Sequence, residues 1–309
     1  MRRLLLWMAG NRWLRRRVPR LWFTRRAVRR FMPGEKVDDA LAAAQAYQQQ
    51  GIGILFTHLG ENLTSVEEGD AVAQHYLELI DEIDRRGLAG EVSVKLTQLG
   101  FDLDQERTFG HMERLAERAA ASAAGPRTVW IDMEGSPYTE ATVDYYERLK
   151  QRHANVGLCL QAYLKRTYSD VQRLLPIEPR IRLVKGAYAE PPEIAYASRR
   201  EVDANFLALC VSILEAMRAG RQVFLGLGTH DVELIQQVAD HARTLRLPLG
   251  AFDVEMLYGI RVREQRRLNR DGYPVRVLIA YGDAWYAWYM RRLAERPANV
   301  VFALRQLLP

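Results

Sequence analysis

Two adjacent arginines near the end of the chain are suited to binding a carboxylate. The stretch "WYAWYMRRLAER" places four aromatic residues before Arg291 and Arg292 and a glutamate, Glu295, one helical turn after them. The planar guanidinium group of arginine binds a carboxylate through two parallel hydrogen bonds. Glu295 lies three and four residues beyond the pair, within reach of either guanidinium on a helix. The stretch therefore predicts a clamp for a carboxylate-bearing substrate, with a solvated basic helix face as the alternative.

A lysine and two carboxylates occupy the ends of two strand-like runs. In "EVSVKL", alternation places Lys95 on the face opposite Val92 and Val94, so it should point into the interior. A buried ammonium group needs an anionic partner. Asp132 and Glu134 of "TVWIDMEG" could supply that partner, and a substrate anion is the alternative. The two carboxylates could also perform acid–base work or bind a metal, but no H-x-x-x-H spacing accompanies them, so the sequence predicts no metal site.

Two further runs combine cationic residues with glycines. In "IRLVKGAY", Arg182 and Lys185 fall on opposite faces of a strand. Both serve one site only if Lys185 lies beyond the strand, where Gly186 lets the backbone turn. In "LGLGTHD", two glycines precede Thr229, His230 and the start of a helix. This pattern fits either a phosphate-binding turn at a helix N-terminus or an ordinary tight turn.

The elements that must position these residues repeat along the chain. Eight short apolar runs are each followed by a helical pattern, at a spacing of roughly 30 residues. The runs are "GIGILFTH", "EVSVKL", "TVWIDM", "VGLCLQ", "IRLVKG", "QVFLGL", "GAFDVEML" and "VRVLIAYG". The clearest helical patterns run from Ser65 to Arg86, Asp104 to Ala123, Thr139 to Arg152 and Asp231 to Arg243. Eight such units predict an α/β fold of the (β/α)8 type, a TIM-like barrel. Polar residues at all eight strand ends favour an enzyme or a ligand-binding barrel, because sites in such barrels lie there.

The composition is that of an ordinary globular protein. The chain has 309 residues, of which 48% are hydrophobic and 27% are charged. Its two cysteines, Cys159 and Cys210, both lie in apolar runs. We therefore expect buried thiols in a reducing compartment and a cytoplasmic location.

The first thirty residues form a basic arm, in which the net charge of +6 is concentrated. We place the arm at residues 1–36, with Pro33 and Gly34 of "FMPGEK" at the boundary, and the barrel domain at residues 37–309. Arginines alternate with Leu, Trp and Phe, which is typical of a helix lying on an anionic membrane surface. The alternative is a helix packed on the barrel by its apolar face. The apolar runs are too short for a signal peptide or a membrane span, and the nearly balanced charge elsewhere does not indicate nucleic-acid binding.

Four motifs in order resemble one family. "IRLVKGAYAEPPEIAY", "THD", "EMLYGI" and "YMRRLAERPANVVFALR" resemble proline dehydrogenase, in its short single-function bacterial form, from about Val37 to the end. The resemblance implies a distorted (β/α)8 barrel that holds FAD. It implies oxidation of L-proline to 1-pyrroline-5-carboxylate, with electrons passed to a membrane quinone. Such an enzyme is expected at the inner surface of the membrane.

The resemblance also assigns roles to individual residues. The carboxylate clamp of the family falls on Lys95, Arg291 and Arg292, and Glu295 matches the acid that orients the arginines. Arg182 matches the arginine beside the reactive nitrogen of the flavin, and Asp132 matches the acid near flavin and substrate. Residues matching FAD contacts are Gln161, Lys185, Gly186, Ala187, Thr229, His230 and, in place of the usual asparagine, Asp231. Residues matching positions close to the substrate ring or the flavin are Tyr188 and Leu257.

Three other positions depart from the family pattern. Leu278 and Trp288 stand where the family has tyrosines, and Glu255 stands where a glutamine is common. We expect these changes in the wall around the substrate ring to alter selectivity, so a different proline-like or N-substituted amino acid is an alternative substrate. Two further alternatives are a flavin-free barrel enzyme that uses Asp132, Glu134 and His58, and a non-catalytic barrel that binds flavin or a partner.

Overall fold

The barrel predicted from the eight apolar runs is present. The computed structural model describes residues 2–18, 28–60 and 63–295. Eight parallel strands form one closed sheet in sequence order, and the last strand pairs with the first. The strands are β1 Gly53–His58, β2 Gly90–Val94, β3 Val129–Ile131, β4 Val156–Gln161, β5 Arg180–Val184, β6 Phe224–Gly228, β7 Asp253–Leu257 and β8 Val275–Tyr281. The (β/α)8 prediction is therefore confirmed.

In the described part of the chain, three helices precede β1, and at least one helix follows each strand. They are α1 Arg2–Gly10, α2 Arg12–Arg17, α3 Val37–Gln48, α4 Val66–Arg85, α5 Gln105–Ala120, α6 Ser136–Lys150, α7 Thr167–Leu174, α8 Arg199–Arg218, α9 Val232–Thr244, α10 Val262–Arg270 and α11 Trp285–Glu295. Side-chain capping explains where two of these helices begin. The side chains of Ser65 and Asp104 accept hydrogen bonds from backbone N–H groups in the first turns of α4 and α5.

Charged side chains fill the interior of the barrel near the amino ends of the strands. Arg276 pairs with Asp253 and lies 3.4 Å from a carboxylate oxygen of Glu91. The indole Nε1 of Trp130 donates a 2.7 Å hydrogen bond to Glu91. These residues lie near the amino ends of their strands, where branched apolar side chains are usual in such barrels. The ion pairs close the barrel beneath the space at its other end.

The described part of the N-terminal arm packs on the last helix. Leu5 and Ala9 of α1 join Trp285 and Leu293 of α11 in an apolar cluster separate from the main core. The opposite side of the arm exposes Leu4, Trp7 and Trp13. Residues 19–27 lie outside the described residues. Of the helices that the structure describes, none is long and apolar enough to cross a membrane. The expected packing on the barrel is thus present, and one apolar side remains at the surface.

Candidate active site

A single cavity opens at the carboxyl ends of the strands and collects the predicted site residues. Its volume is about 770 Å³. Every residue to which the family resemblance assigned a site role lines it, except Asp231 and Glu295. These residues are Lys95, Asp132, Gln161, Arg182, Lys185, Gly186, Ala187, Tyr188, Thr229, His230, Leu257, Leu278, Trp288, Arg291 and Arg292. The side chain of Glu295 lies outside the described part of the structure, so its assigned role stays a prediction.

Helix α11 lies at the mouth of the cavity and contributes both arginines. The guanidinium carbon of Arg291 lies 5.6 Å from the ring centre of Tyr188, which belongs to the loop after β5. That of Arg292 lies 5.8 Å from the ring centre of Trp288 on its own helix. Both distances are within cation–π range. Packing of α1 against α11 supports this helix from outside, so the arm and the paired arginines form one structural unit.

Lys95 reaches the same cavity from the barrel wall. It directly follows β2 and is buried. Its backbone N–H donates to the side-chain oxygen of Gln98, whose amide nitrogen donates to the carbonyl oxygens of His58 and Gly60, each at 2.8 Å. These bonds tie the ends of β1 and β2 together and hold Lys95 in place. Lys95, Arg291 and Arg292 thus line the same cavity, and their role as a carboxylate clamp stays a prediction.

Arg182 is a buried cation in the wall of the cavity. Its Nε pairs with Glu255, and its Nη1 donates to Ser93 Oγ at 2.9 Å and to Asp132 Oδ1 at 3.1 Å. The guanidinium carbon also lies 4.5 Å from the ring centre of Trp130. Burial alone would lower the pKa of Arg182, but Glu255 and Asp132 outweigh that effect and raise it. Its Nη2 has no hydrogen-bond partner among the described residues and remains available to a ligand.

The turn after β5 brings Lys185 to the site, as the sequence required. Strand β5 ends at Val184, so Lys185 lies beyond it and lines the same cavity as Arg182. Gly186 follows with a φ of 111°. A Cβ atom there would lie 2.2 Å from the ring of Tyr163. Only glycine allows this backbone conformation and this close approach together.

Asp231 acts on the site through other residues. It does not line the cavity, and its carboxylate accepts hydrogen bonds from Lys185 at 2.9 Å and from Arg199 at 2.8 Å. Lys185 also pairs with Asp203. Burial opposes ionisation of Asp231, but the two cations outweigh burial and lower its pKa to about 2. The assignment of Asp231 as a cofactor contact therefore stays a prediction. It holds Lys185 in place at the cavity wall.

The two carboxylates of "TVWIDMEG" have separate roles. Asp132 lines the cavity, whereas Glu134 accepts hydrogen bonds from the backbone and hydroxyl of Thr97 and does not line it. His58 packs on His75, with ring centres 4.6 Å apart, and also lies outside the lining. Burial and His75 lower the pKa of His58 to about 4. Among the residues that the structure describes, no group of three or more His, Cys, Asp or Glu could hold a metal ion. Of the three residues that a flavin-free enzyme would use, only Asp132 lines the cavity.

Sequence reasoning left out part of the lining. Cys159 points into the cavity from β4, and burial raises the pKa of its thiol to about 12. Alternation along "VGLCLQ" could have found it, because it shares a face with Gln161. The loop between β5 and α8 contributes Glu190, Tyr196 and Ser198, for which no periodic pattern gave a signal.

Comparisons with known proteins identify a family for this chain. A sequence model of the family described as Proline dehydrogenase matches residues 40–305. "Proline dehydrogenase 1" of Bacillus subtilis subsp. natto is 33% identical over all of this chain and 99% of its own length. "Proline dehydrogenase" of Deinococcus radiodurans is 32% identical over 90% of this chain and 89% of its own.

A solved structure shares the fold. Proline utilization A from Bdellovibrio bacteriovorus, inactivated by N-propargylglycine, superimposes with a TM-score of 0.80 at 22% identity. The match covers 87% of this chain and 32% of that much longer protein. With a family match across most of its length and full-length relatives at one-third identity, the chain belongs to the proline dehydrogenase family of oxidoreductases.

Proposed function

We propose that the protein is an FAD-dependent dehydrogenase that oxidises L-proline to 1-pyrroline-5-carboxylate and passes the electrons to a quinone. The observation that carries this proposal is the convergence of Lys95, Arg291 and Arg292 on the cavity that also contains buried Arg182. A volume of about 770 Å³ is within the usual range for pockets that bind small molecules and cofactors.

The residues present fit a flavin. Gln161 Oε1 and Arg182 Nη2 are buried polar atoms without a hydrogen-bond partner among the described residues, and both side chains line the cavity. Such atoms are normally satisfied, so a ligand with polar edges is expected beside them. The residues that would hold FAD are Gln161, Arg182, Lys185, Gly186, Ala187, Thr229 and His230. Bound FAD would supply a hydride acceptor that a quinone can reoxidise.

The chain's own residues bind and orient the substrate. Lys95 and the two arginines would hold its carboxylate, while apolar Leu257, Leu278 and Trp288 exclude water from the ring. Oxidation breaks a ring C–H bond, with the electron pair leaving as hydride, removes a proton from the ring nitrogen and forms the C=N bond. This reaction depends on orientation more than on a strong base, because fixed positioning removes most of the entropic barrier.

Anaerobic addition of L-proline to the purified protein tests this function. We expect a yellow protein whose visible flavin absorption bleaches on addition of L-proline, because the clamp places the substrate for hydride transfer. A colourless protein would contradict the flavin proposal. A yellow protein that no amino acid bleaches would favour the non-catalytic alternative.

A second candidate keeps the chemistry but changes the substrate. Leu278 and Trp288, which replace tyrosines of the family pattern, both line the cavity beside Leu257. The wall around the substrate ring is therefore more apolar than the family pattern, and its shape is different. A proline-like amino acid with a larger or N-substituted ring would suit this wall. Bleaching by such a compound, and not by L-proline, would support this candidate.

We also propose that the arm rests on the cytoplasmic surface of an anionic membrane, where the quinone is dissolved. Trp7 and Trp13 are 62% and 65% exposed. Ile260 packs against the cluster formed by the arm and α11, so the start of α10 adjoins the arm. The segment "RVREQRRLNRD" that follows carries five arginines and two acids. Exposed tryptophans beside arginines are the combination that interfacial membrane binding uses.

Replacing Trp7 and Trp13 together with alanine should weaken binding to vesicles containing anionic lipid. Their exposure means that the change removes membrane contacts and leaves the packing of Leu5 and Ala9 on α11 intact. Co-sedimentation with vesicles measures the bound fraction. Tyr168→Ala is the control, because Tyr168 is 50% exposed on α7, away from the arm. Equal binding by the double variant and the control would refute membrane contact through the arm.

A further inference from the structure

One buried carboxylate in the cavity has no place in the proposed chemistry. Glu255 lies on β7, lines the cavity, and its side chain is only 3% exposed. The barrel leaves room for it, because a Cβ atom on Gly226 of the neighbouring strand would lie 2.4 Å from Glu255 Oε1. A buried carboxylate needs a partner to offset lost hydration. Here that partner is Arg182, whose Nε pairs with Glu255 Oε2.

Glu255 changes the charge that Arg182 presents to the cavity. Asp132 already lies 3.1 Å from the guanidinium on its other side. With Glu255 ionised, one arginine faces two carboxylates, and the group as a whole is no longer positive. With a glutamine in place of Glu255, the same arginine would face one carboxylate. The difference is one full charge at a buried site, where screening is weak.

We propose that Glu255 is a positioning residue that holds Arg182 and adds a second negative charge beside it, and thereby keeps the reduction potential of the bound flavin low. The inference rests on the proposed FAD-dependent function. A positive charge near a flavin stabilises its reduced, more negative form and raises the potential. An added carboxylate has the opposite effect.

The surroundings make this charge sensitive to pH. Burial raises the pKa of Glu255, and Arg182 and Arg276 oppose the increase. The charged or titratable groups that act on Glu255 come from five strands. They are Arg182 on β5, Arg276 on β8, Glu91 on β2, Cys159 on β4 and Asp253 on β7. At low pH, Glu255 would be protonated and neutral. Arg182 would then face only one carboxylate, as it would with a glutamine at position 255.

The flavin midpoint potential of Glu255→Gln, measured anaerobically against a reference dye across a pH series, tests the inference. Glutamine keeps an oxygen that accepts from Arg182 Nε but carries no charge. We expect a more positive potential than in the wild type, with the largest difference at high pH and convergence as the pH falls. A purely structural role for Glu255 would not produce this convergence.

Two further variants complete the test. Asp253→Asn removes a buried carboxylate two residues earlier on the same strand, paired with Arg276 instead, and should shift the potential much less. Asp132→Asn removes the other partner of Arg182 and should shift the potential in the same direction as Glu255→Gln, even if the latter folds poorly. Wild-type potentials in both Glu255→Gln and Asp132→Asn would overturn the inference. A wild-type protein that binds no flavin would instead overturn the proposed function, and this inference with it.

Discussion

Replacing Lys95 with methionine should raise the KM for the amino acid substrate far more than it changes kcat. Methionine preserves the length and apolar stem of the buried side chain and removes only the charge. Loss of one partner from a buried, hydrogen-bonded charge pair costs about 2–5 kcal/mol. That range corresponds to roughly 30-fold to several thousand-fold weaker binding. The rate of anaerobic flavin bleaching, measured over a range of substrate concentrations, separates the change in substrate binding from any change in the maximal rate.

Lys185→Met is the matched control for this prediction. Lys185 lines the same cavity, but its ammonium group pairs with Asp203 and Asp231, on the side assigned to the cofactor. We expect this variant to lose flavin more readily and to bind substrate normally once flavin is restored. Equal substrate affinity in Lys95→Met and the wild type would contradict the clamp.

Replacing Leu278 with tyrosine should shift ring selectivity toward L-proline. Leu278 lines the cavity and lies in register with Leu257 on the neighbouring strand, another lining residue. A phenol ring would fill space that the leucine leaves open and add a hydroxyl group. A change of this size in a pocket wall is worth about 1–3 kcal/mol, or roughly 5- to 150-fold. The measured quantity is the ratio of flavin reduction rates with L-proline and with its six-membered-ring analogue, L-pipecolate.

The control for Leu278→Tyr is Leu103→Tyr, a change at an exposed leucine that does not line the cavity. It should leave the ratio at its wild-type value. Trp288→Tyr restores the other tyrosine and should act in the same direction as Leu278→Tyr. An unchanged ratio in both pocket variants would show that the ring wall does not set selectivity.

The barrel could be predicted because its repeating unit is local. Each apolar run and each helical pattern can be recognised within one short window, and the parallel crossover rule then leaves few arrangements. The helix predicted from Ser65 to Arg86 agrees with the structure within a residue at each end, because Ser65 caps it. The helices predicted from Asp104 to Ala123 and from Thr139 to Arg152 miss the observed ends by up to three residues. Alternation also placed Lys95 correctly inside the barrel, and Gly186 explained how Lys185 joins Arg182.

Pairing between distant side chains could not be predicted in the same way. The sequence offered Asp132 and Glu134 as equivalent partners for a cation, but Thr97, in the short 3-10 helix after β2, binds Glu134. Glu255 and Arg182 lie on different strands, and only the closed barrel shows that they pair across its interior. Such contacts depend on side-chain direction and on the room left by glycines such as Gly226. No regular spacing of residues in the sequence reveals either feature.

The packing of α1 on α11 has a consequence for folding kinetics. These helices are separated in sequence by the whole barrel, so their contact is among the most non-local in the molecule. Contacts of high sequence separation require closure of a long loop and form slowly. Arg291 and Arg292 lie on the helix that this contact supports. After dilution from denaturant, circular dichroism should therefore recover before substrate-dependent bleaching does, because the barrel can form before its substrate clamp is assembled.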